Sequence, residues 1–451
     1  MPDLIIEGLH GCSREEEYVW PTDPLLLKKL EWFQDQKLSL MSHYGIYNQI
    51  GVIESWPISD GDASWSRKEV DWEPDAETFR QQYFDLSKSF NPVRFQPEEW
   101  ADFAQDVGFK YFVLTTKHHD GFCIYDTKYT KYKSTDPSCP FHAHRYADIV
   151  RHLFDAFRAR GMGIGAYFSK PDWHCPWYWA KGMDRPIAFD RNPTYTPSEH
   201  PALWEEFIRF THNQMIELVE DYGKLDVLWL DGGQVNPKNG QDIRMVELAA
   251  RARKITPDLL IADRTIGGEF ENYITPEQAI PGQPVRVPWE SNVTIGTGFC
   301  YRFNDRYKSS RMLVHMLLDT VSRGGNLALN IGPQPDGRLP EQAVKSARGL
   351  GEWMKVNGEA IYGTRICAPY AAGNVCYTRK GETAYAMVSY KDGERVESKV
   401  RIPWDGTCEK LKLLGSDAPV SFGREGEVLV ATVPEAYVGS EPYALAFRIE
   451  A

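Results

Sequence analysis

The sequence has no run of about 18 apolar residues, so nothing in it predicts a membrane-spanning helix. Positive charge is not in excess: 51 Lys and Arg stand against 63 Asp and Glu, a formal charge of −12. A nucleic-acid binder needs a clustered basic face, so no nucleic-acid partner is expected. No GxGxxG follows the first predicted strand and no GxxxxGK[ST] occurs, which leaves nucleotide binding unsupported. Nor is there an HExxH, so a metal site is possible but has no support from ligand spacing. The eight cysteines are scattered without a CxxC pair and read as reduced thiols, not as a disulfide framework. The N-terminal Met-Pro-Asp-Leu-Ile-Ile-Glu-Gly lacks the basic region and long apolar stretch of a secretory leader. The expectation is a cytoplasmic protein, or a secreted or periplasmic one if a leader has been removed.

What is present is an ordinary globular mix, 42% hydrophobic and 25% charged, with many aromatics: 14 Trp, 23 Tyr and 21 Phe. Aromatic faces stack on apolar sugar faces, so the excess leans toward carbohydrate. Short apolar runs at 38–43, 111–119, 163–169, 226–231, 259–264, 285–290 and 326–331 read as strands. Amphipathic segments at 97–107, 144–160, 201–222, 309–323 and 340–356 alternate with them. Near-continuous apolar strands alternating with helices imply a parallel sheet. Polar residues gather at strand after strand end: His43, His118, His119, Tyr167, Asp231, Arg264 and Glu290. An open sheet collects ligands at one switch point, a barrel around a ring, so the reading is a (β/α)8-like TIM barrel over 1–362. From 363 to 451 short strand-like runs separated by Gly, Asp and Pro turns predict a C-terminal antiparallel β-sandwich.

Asp231 ends Asp226-Val-Leu-Trp-Leu-Asp-Gly-Gly, which puts a carboxylate at the barrel mouth; the alternative is that it simply caps the next loop. His118 and His119 close the second strand. Adjacent strand residues face opposite ways, so one of them could be structural; neutral imidazoles donating to sugar hydroxyls fit better than a shared metal. A second carboxylate, which glycoside hydrolysis commonly needs, would be Glu277 in Thr275-Pro-Glu-Gln-Ala-Ile-Pro281 or Glu290 after Trp289.

Together these residues resemble glycoside hydrolase family 29, the retaining α-L-fucosidases. The resemblance runs from about Trp32 to about Arg365. It rests on Lys37-Leu-Ser-Leu-Met-Ser-His43-Tyr-Gly-Ile-Tyr, Phe90-Asn-Pro-Val-Arg-Phe, Thr116-Lys-His118-His119-Asp-Gly-Phe, Leu228-Trp-Leu-Asp231-Gly and Gly324-Gly-Asn-Leu-Ala-Leu-Asn-Ile-Gly-Pro. It implies a catalytic barrel followed by a β-sandwich, no cofactor, and a fucosylated oligosaccharide or glycoconjugate as substrate. It further implies Asp231 as nucleophile and His43, Glu54, Trp56, His118, His119, Tyr167, Trp229 and Arg264 as a ring around fucose. Family members with an acid on a Pro-Glu loop prefer α-1,3/1,4-fucosides, which favours Glu277 as acid/base; Glu290, with Trp289 beside it, is the alternative or a binding residue. Two departures fall on the leaving-group side. His43-Tyr44-Gly45 replaces the usual His-Trp-Gly, and Ser291-Asn-Val-Thr-Ile-Gly lacks the common Cys-Met-Thr. Rival readings are an α-galactosidase-like barrel with the same Trp-x-Asp strand end, a catalytically dead fucose-binding protein, and a metal hydrolase built on His118 and His119.

Overall fold

The computed structural model describes residues 5–6 and 12–451; of the N-terminal stretch read above for a leader, residues 1–4 and 7–8 lie outside the described residues. Seven parallel strands form the central sheet: β1 (Leu38–Ser42), β2 (Tyr111–Lys117), β3 (Gly163–Ser169), β4 (Val227–Asp231), β5 (Leu260–Asp263), β6 (Glu290–Thr294) and β7 (Asn326–Asn330). Their order is β5-β4-β3-β2-β1-β7-β6. The gap between β5 and β6 is spanned by residues 271–278. This segment makes an antiparallel bridge from Glu271 to Ala262 and parallel bridges from Ile274 to Trp289 and from Glu277 to Asn292. Backbone hydrogen bonds from Asn292 to Pro276 (3.1 Å) and from Gln278 to Asn292 (3.0 Å) fix it alongside β6. The sheet thus curls into the expected TIM-like barrel, one stave of which is irregular.

Helix α1 (Pro24–Gln36) starts where the Asp23 carboxylate accepts from the Leu25 N–H at 2.8 Å, with Pro24 in the first turn. Its buried face, Leu26, Leu30 and Phe33, packs on Met41, Tyr111, Val113, Val227 and Leu260 inside the barrel. The helix therefore stops the N-terminal end of the barrel. Outside the sheet, α3 (Pro97–Val107), α4 (Ile149–Ala159), α5 (Pro201–Asp221), α6 (Met245–Ile255), α7 (Ser310–Ser322) and α8 (Glu341–Asn357) bury their apolar faces; α2 (Ala76–Asp85) belongs to the loops after β1. Among the described residues no helix is long and apolar enough to cross a membrane, and all eight cysteines are free.

From Arg365 onward every strand is antiparallel. β8 (Arg365–Ala372), β9 (Val375–Lys380), β10 (Thr383–Ser389), β12 (Lys410–Leu413) and β15 (Ala444–Glu450) form one sheet; β11 (Lys399–Pro403), β13 (Phe422–Glu425) and β14 (Val428–Thr432) form the other. Tyr377, Ala386, Ile402, Leu429 and Phe447 fill the space between them. Arg311 of α7 pins this β-sandwich to the barrel, donating to Tyr390 O (2.7 Å) and Pro442 O (2.6 Å) and pairing with Asp392 (2.8 Å).

Candidate active site

Alternation along β4 turns Val227, Trp229 and Asp231 inward. Gly232 then takes φ +86°, and a Cβ there would run into Pro171, while one at Gly233 would run into Thr265. Only glycines let the chain turn so tightly beneath the barrel mouth. Asp231 Oδ2 accepts from the Tyr167 hydroxyl at 2.5 Å and lies 3.7 Å from His119 Nε2; Oδ1 accepts from Arg264 Nη1 at 3.0 Å. Burial opposes the charge, but the Arg264 guanidinium, helped by the imidazoles and the Tyr167 hydrogen bond, outweighs it and holds the carboxyl far below the usual carboxylate range. Asp231 is an ionised carboxylate held in place by Arg264 and Tyr167.

Arg264 reaches a second carboxylate. Its Nη2 donates to Glu277 Oε2 at 2.6 Å, its Nε donates to Thr275 Oγ1 at 3.3 Å, and its guanidinium lies 4.8 Å over the Trp229 ring. Glu277 is carried on the irregular barrel stave, so a residue that the sequence places in a loop is held by backbone hydrogen bonds to β6. Its side chain is 40% exposed, open to the cavity.

β2 ends at Lys117, so both following histidines escape strand alternation. Their rings stand 4.3 Å apart and both face the cavity. His118 Nδ1 engages Ser55 Oγ at 2.6 Å, His119 Nδ1 engages Ser169 Oγ, and His43 Nδ1 engages Asn330 Oδ1 at 2.8 Å. Burial drives His43 and His119 down to about 4 and His118 well below its ordinary value, so all three are neutral near pH 7. Each keeps Nε2 for a ligand. Glu54, at φ +36°, accepts from Cys300 N at 2.9 Å; burial pushes it up to about 7. Trp56 meets the His119 ring edge-on at 5.0 Å.

These groups line one cavity of about 230 Å³. Asp231, Glu277, His43, Glu54, Trp56, His118, His119, Tyr167, Trp229 and Arg264 all reach it. Trp289 and Glu290 do not, and their expected place is corrected. The strand read at 285–290 is instead Glu290–Thr294, so Glu290 opens β6 where it was expected to close a strand. Its carboxyl turns into the barrel interior and accepts from Ser39 Oγ at 3.1 Å; two residues on, Asn292 is the side chain that reaches the cavity. Burial lifts Glu290 to about 8. The Trp289 ring packs against Gly325 and its Nε1 donates to Arg323 O at 3.3 Å. Arg191, Gln234, Thr265, Asn292 and Phe299 also line the cavity. The sequence names none of them individually; Asn292 falls in the Ser291-Asn-Val-Thr-Ile-Gly stretch that departs from the family pattern, and Thr265 directly follows Arg264.

His118, His119 and Asp231 also approach closely enough to share a cation. The Arg264 guanidinium already supplies that charge, 3.0 Å from Asp231 Oδ1, and would repel a metal ion.

A family model described as α-L-fucosidase matches residues 9–359. Human tissue α-L-fucosidase is 26% identical over 446 residues, covering 93% of this chain and 88% of its own length. Among solved structures, α-L-fucosidase isoenzyme 1 of Paenibacillus thiaminolyticus superposes with a TM-score of 0.77 at 27% identity, covering 94% of this chain and 99% of that one. An α-fucosidase of Thermotoga maritima in complex with fucose gives 0.74 at 27% identity, covering 96% and 100%. With that match spanning the barrel and its carboxylate-lined cavity, the chain belongs to the α-L-fucosidase family of glycoside hydrolases.

Proposed function

We propose that this α-L-fucosidase releases terminal α-L-fucose from glycans by double displacement, with Asp231 as nucleophile and Glu277 as acid/base. The observation that carries the reading is Arg264, whose single guanidinium contacts both carboxylates, at 3.0 and 2.6 Å. Asp231 Oδ attacks C1 as Glu277 delivers a proton to the departing glycosidic oxygen; the C1–O bond breaks and a fucosyl ester forms. Esterified Asp231 is neutral, which leaves the guanidinium to Glu277 alone at the step that needs a carboxylate base. Glu277 then takes a proton from water, whose oxygen displaces Asp231 and yields α-fucose. The oxocarbenium-like transition state is positive at C1 and O5, so an anion fixed beforehand at Asp231 stabilises it without reorganisation.

The ring of neutral imidazoles supports recognition of sugar hydroxyls, and Glu54, poised near 7, can donate or accept among them. Phe299, 4.8 Å from the His43 ring, supplies an apolar wall suited to the methyl group of fucose. A cavity of about 230 Å³ suits one sugar ring, with the rest of a fucosylated oligosaccharide outside. The place of Glu277 on a Pro-Glu segment supports α-1,3/1,4-linked fucosides. Two measurements test the mechanism. NMR of an aryl α-L-fucoside digest should show α-fucose first; β-fucose first would mean inversion. Asp231→Asn should lower kcat by orders of magnitude with an unchanged fold, and near-wild-type turnover would remove Asp231 from its role.

A further inference from the structure

Directly after Arg264 the chain turns at Thr265 with φ +67°. A β-branched residue holds that conformation only when its surroundings impose it. One carboxylate does so. Glu271 Oε1 accepts from Thr265 N at 3.1 Å, and Oε2 accepts from Gly267 N at 2.7 Å and from the Ser13 hydroxyl at 2.5 Å. Glu271 is 1% exposed and Ser13 4%, so both oxygens are committed away from water. The N-terminal segment adds two further ties: Gly268 N donates to Glu17 O at 3.0 Å, and the Tyr18 hydroxyl donates to Asn272 O at 2.7 Å. A stretch distant in sequence is thus fastened to the turn that begins one residue past Arg264.

We propose that Ser13 and Glu271 are positioning residues for the hydrolysis, holding the 265–268 turn so that the Arg264 guanidinium stays between Asp231 and Glu277. The inference rests on the reading of those two carboxylates as the reacting pair. Neither Ser13 nor Glu271 lines the cavity, so they act on the sugar only through Arg264 and Thr265. The consequence falls on charge. Loosening the turn moves the guanidinium off Asp231, and the nucleophile then binds a proton more readily. The groups facing Asp231 are Arg264, His119, His118, His43 and Tyr167; those facing Glu271 are Asp263, Cys12 and Tyr18. Of the groups facing Asp231, Arg264 alone adjoins the turn that Ser13 and Glu271 hold.

The test is the pH dependence of kcat/KM on an aryl α-L-fucoside for Ser13→Ala, Ser13→Thr and Glu271→Gln in the full chain. Glu271→Gln should lose roughly 10²-fold, the scale of a small displacement at the reacting centre. Its acid limb should move up by about one pH unit. Ser13→Ala should show the same shift more weakly, and Ser13→Thr should restore the profile. In an Arg264→Ala background, Glu271→Gln should add little further loss, since both act through one side chain. An unmoved acid limb in folded Ser13→Ala and Glu271→Gln, or losses that add fully to Arg264→Ala, would overturn the proposal; if Glu271→Gln does not fold, Ser13→Ala decides. Undiminished turnover in Asp231→Asn would instead overturn the underlying assignment, a separate outcome.

Discussion

The Tyr167 hydroxyl meets Asp231 Oδ2 at 2.5 Å from one inward layer below it in the barrel. Tyr167 pairs in register with Trp229, not with Asp231, and its ring stacks on that indole at 5.0 Å. The stack aims the hydroxyl upward. Burial and the facing carboxylate push the phenol well above its ordinary range, so it stays a donor at every working pH. Tyr167→Phe keeps the ring and removes one hydrogen bond to an anion, worth about 1.5–3 kcal/mol. We expect kcat/KM to fall roughly tenfold or more, with the acid limb displaced upward as Asp231 protonates more easily. A profile parallel to wild type would mean that the hydroxyl does not tune Asp231.

Glu277→Ala addresses the acid/base. A poor leaving group depends on protonation far more than an activated aryl one. Cleavage of fucosylated oligosaccharide should therefore fall much more than the first step on an aryl fucoside. Azide needs no general base, so it should restore part of the turnover and give a fucosyl azide of retained configuration. Equal losses on both substrates, with no azide product by chromatography, would take the role from Glu277.

Glu290→Gln separates burial from catalysis. The folded protein lifts this carboxyl to about 8 from an unfolded value near ~4.3. Its contribution to stability is complete below the unfolded value and is lost as pH rises toward 8. Gln does not titrate. The melting temperature of the variant relative to wild type should therefore climb between pH 5 and pH 8, reflecting on the order of a few kcal/mol, while turnover stays within a few-fold. A constant gap across that range, measured by calorimetry, would show that Glu290 is not held neutral.

Chelation tests the cation reading of His118, His119 and Asp231. Exhaustive EDTA treatment should leave turnover unchanged, because Arg264 already provides the charge beside Asp231. Loss of activity restored by added divalent metal would reverse that conclusion.

Much of the barrel was legible because its strands carry the signals that strands require. Tyr111–Lys117, Gly163–Ser169 and Val227–Asp231 are buried at almost every position and read as continuous apolar or β-branched runs. β6 is the exception. Its inward residues, Glu290, Asn292 and Thr294, are polar, so Glu290–Thr294 reads as a loop, while the preceding Val-Arg-Val-Pro-Trp reads as a strand. Pro288 was the contrary signal, since a proline cannot donate to a central ladder. Glu277 was found for its type and its prolines; that its segment serves as a barrel stave depends on backbone bonds to β6 that no local pattern announces. Arg191 and Phe299 come from irregular loops and reach the cavity only through tertiary packing. The Ser13–Glu271 contact spans 258 positions, and nothing in either local stretch points to the other.

Helix α1 gives the site a further property. With Leu26, Leu30 and Phe33 stopping the lower end of the barrel, the described residues leave the cavity no passage through that end. A glycan cannot thread through it, and the cleaved sugar cannot leave by a back exit while the remainder stays in place. The trimmed remainder must step aside before fucose can come out. Removal of several fucoses from one glycan would then be distributive, each requiring a fresh encounter, and partially defucosylated chains should accumulate free in solution.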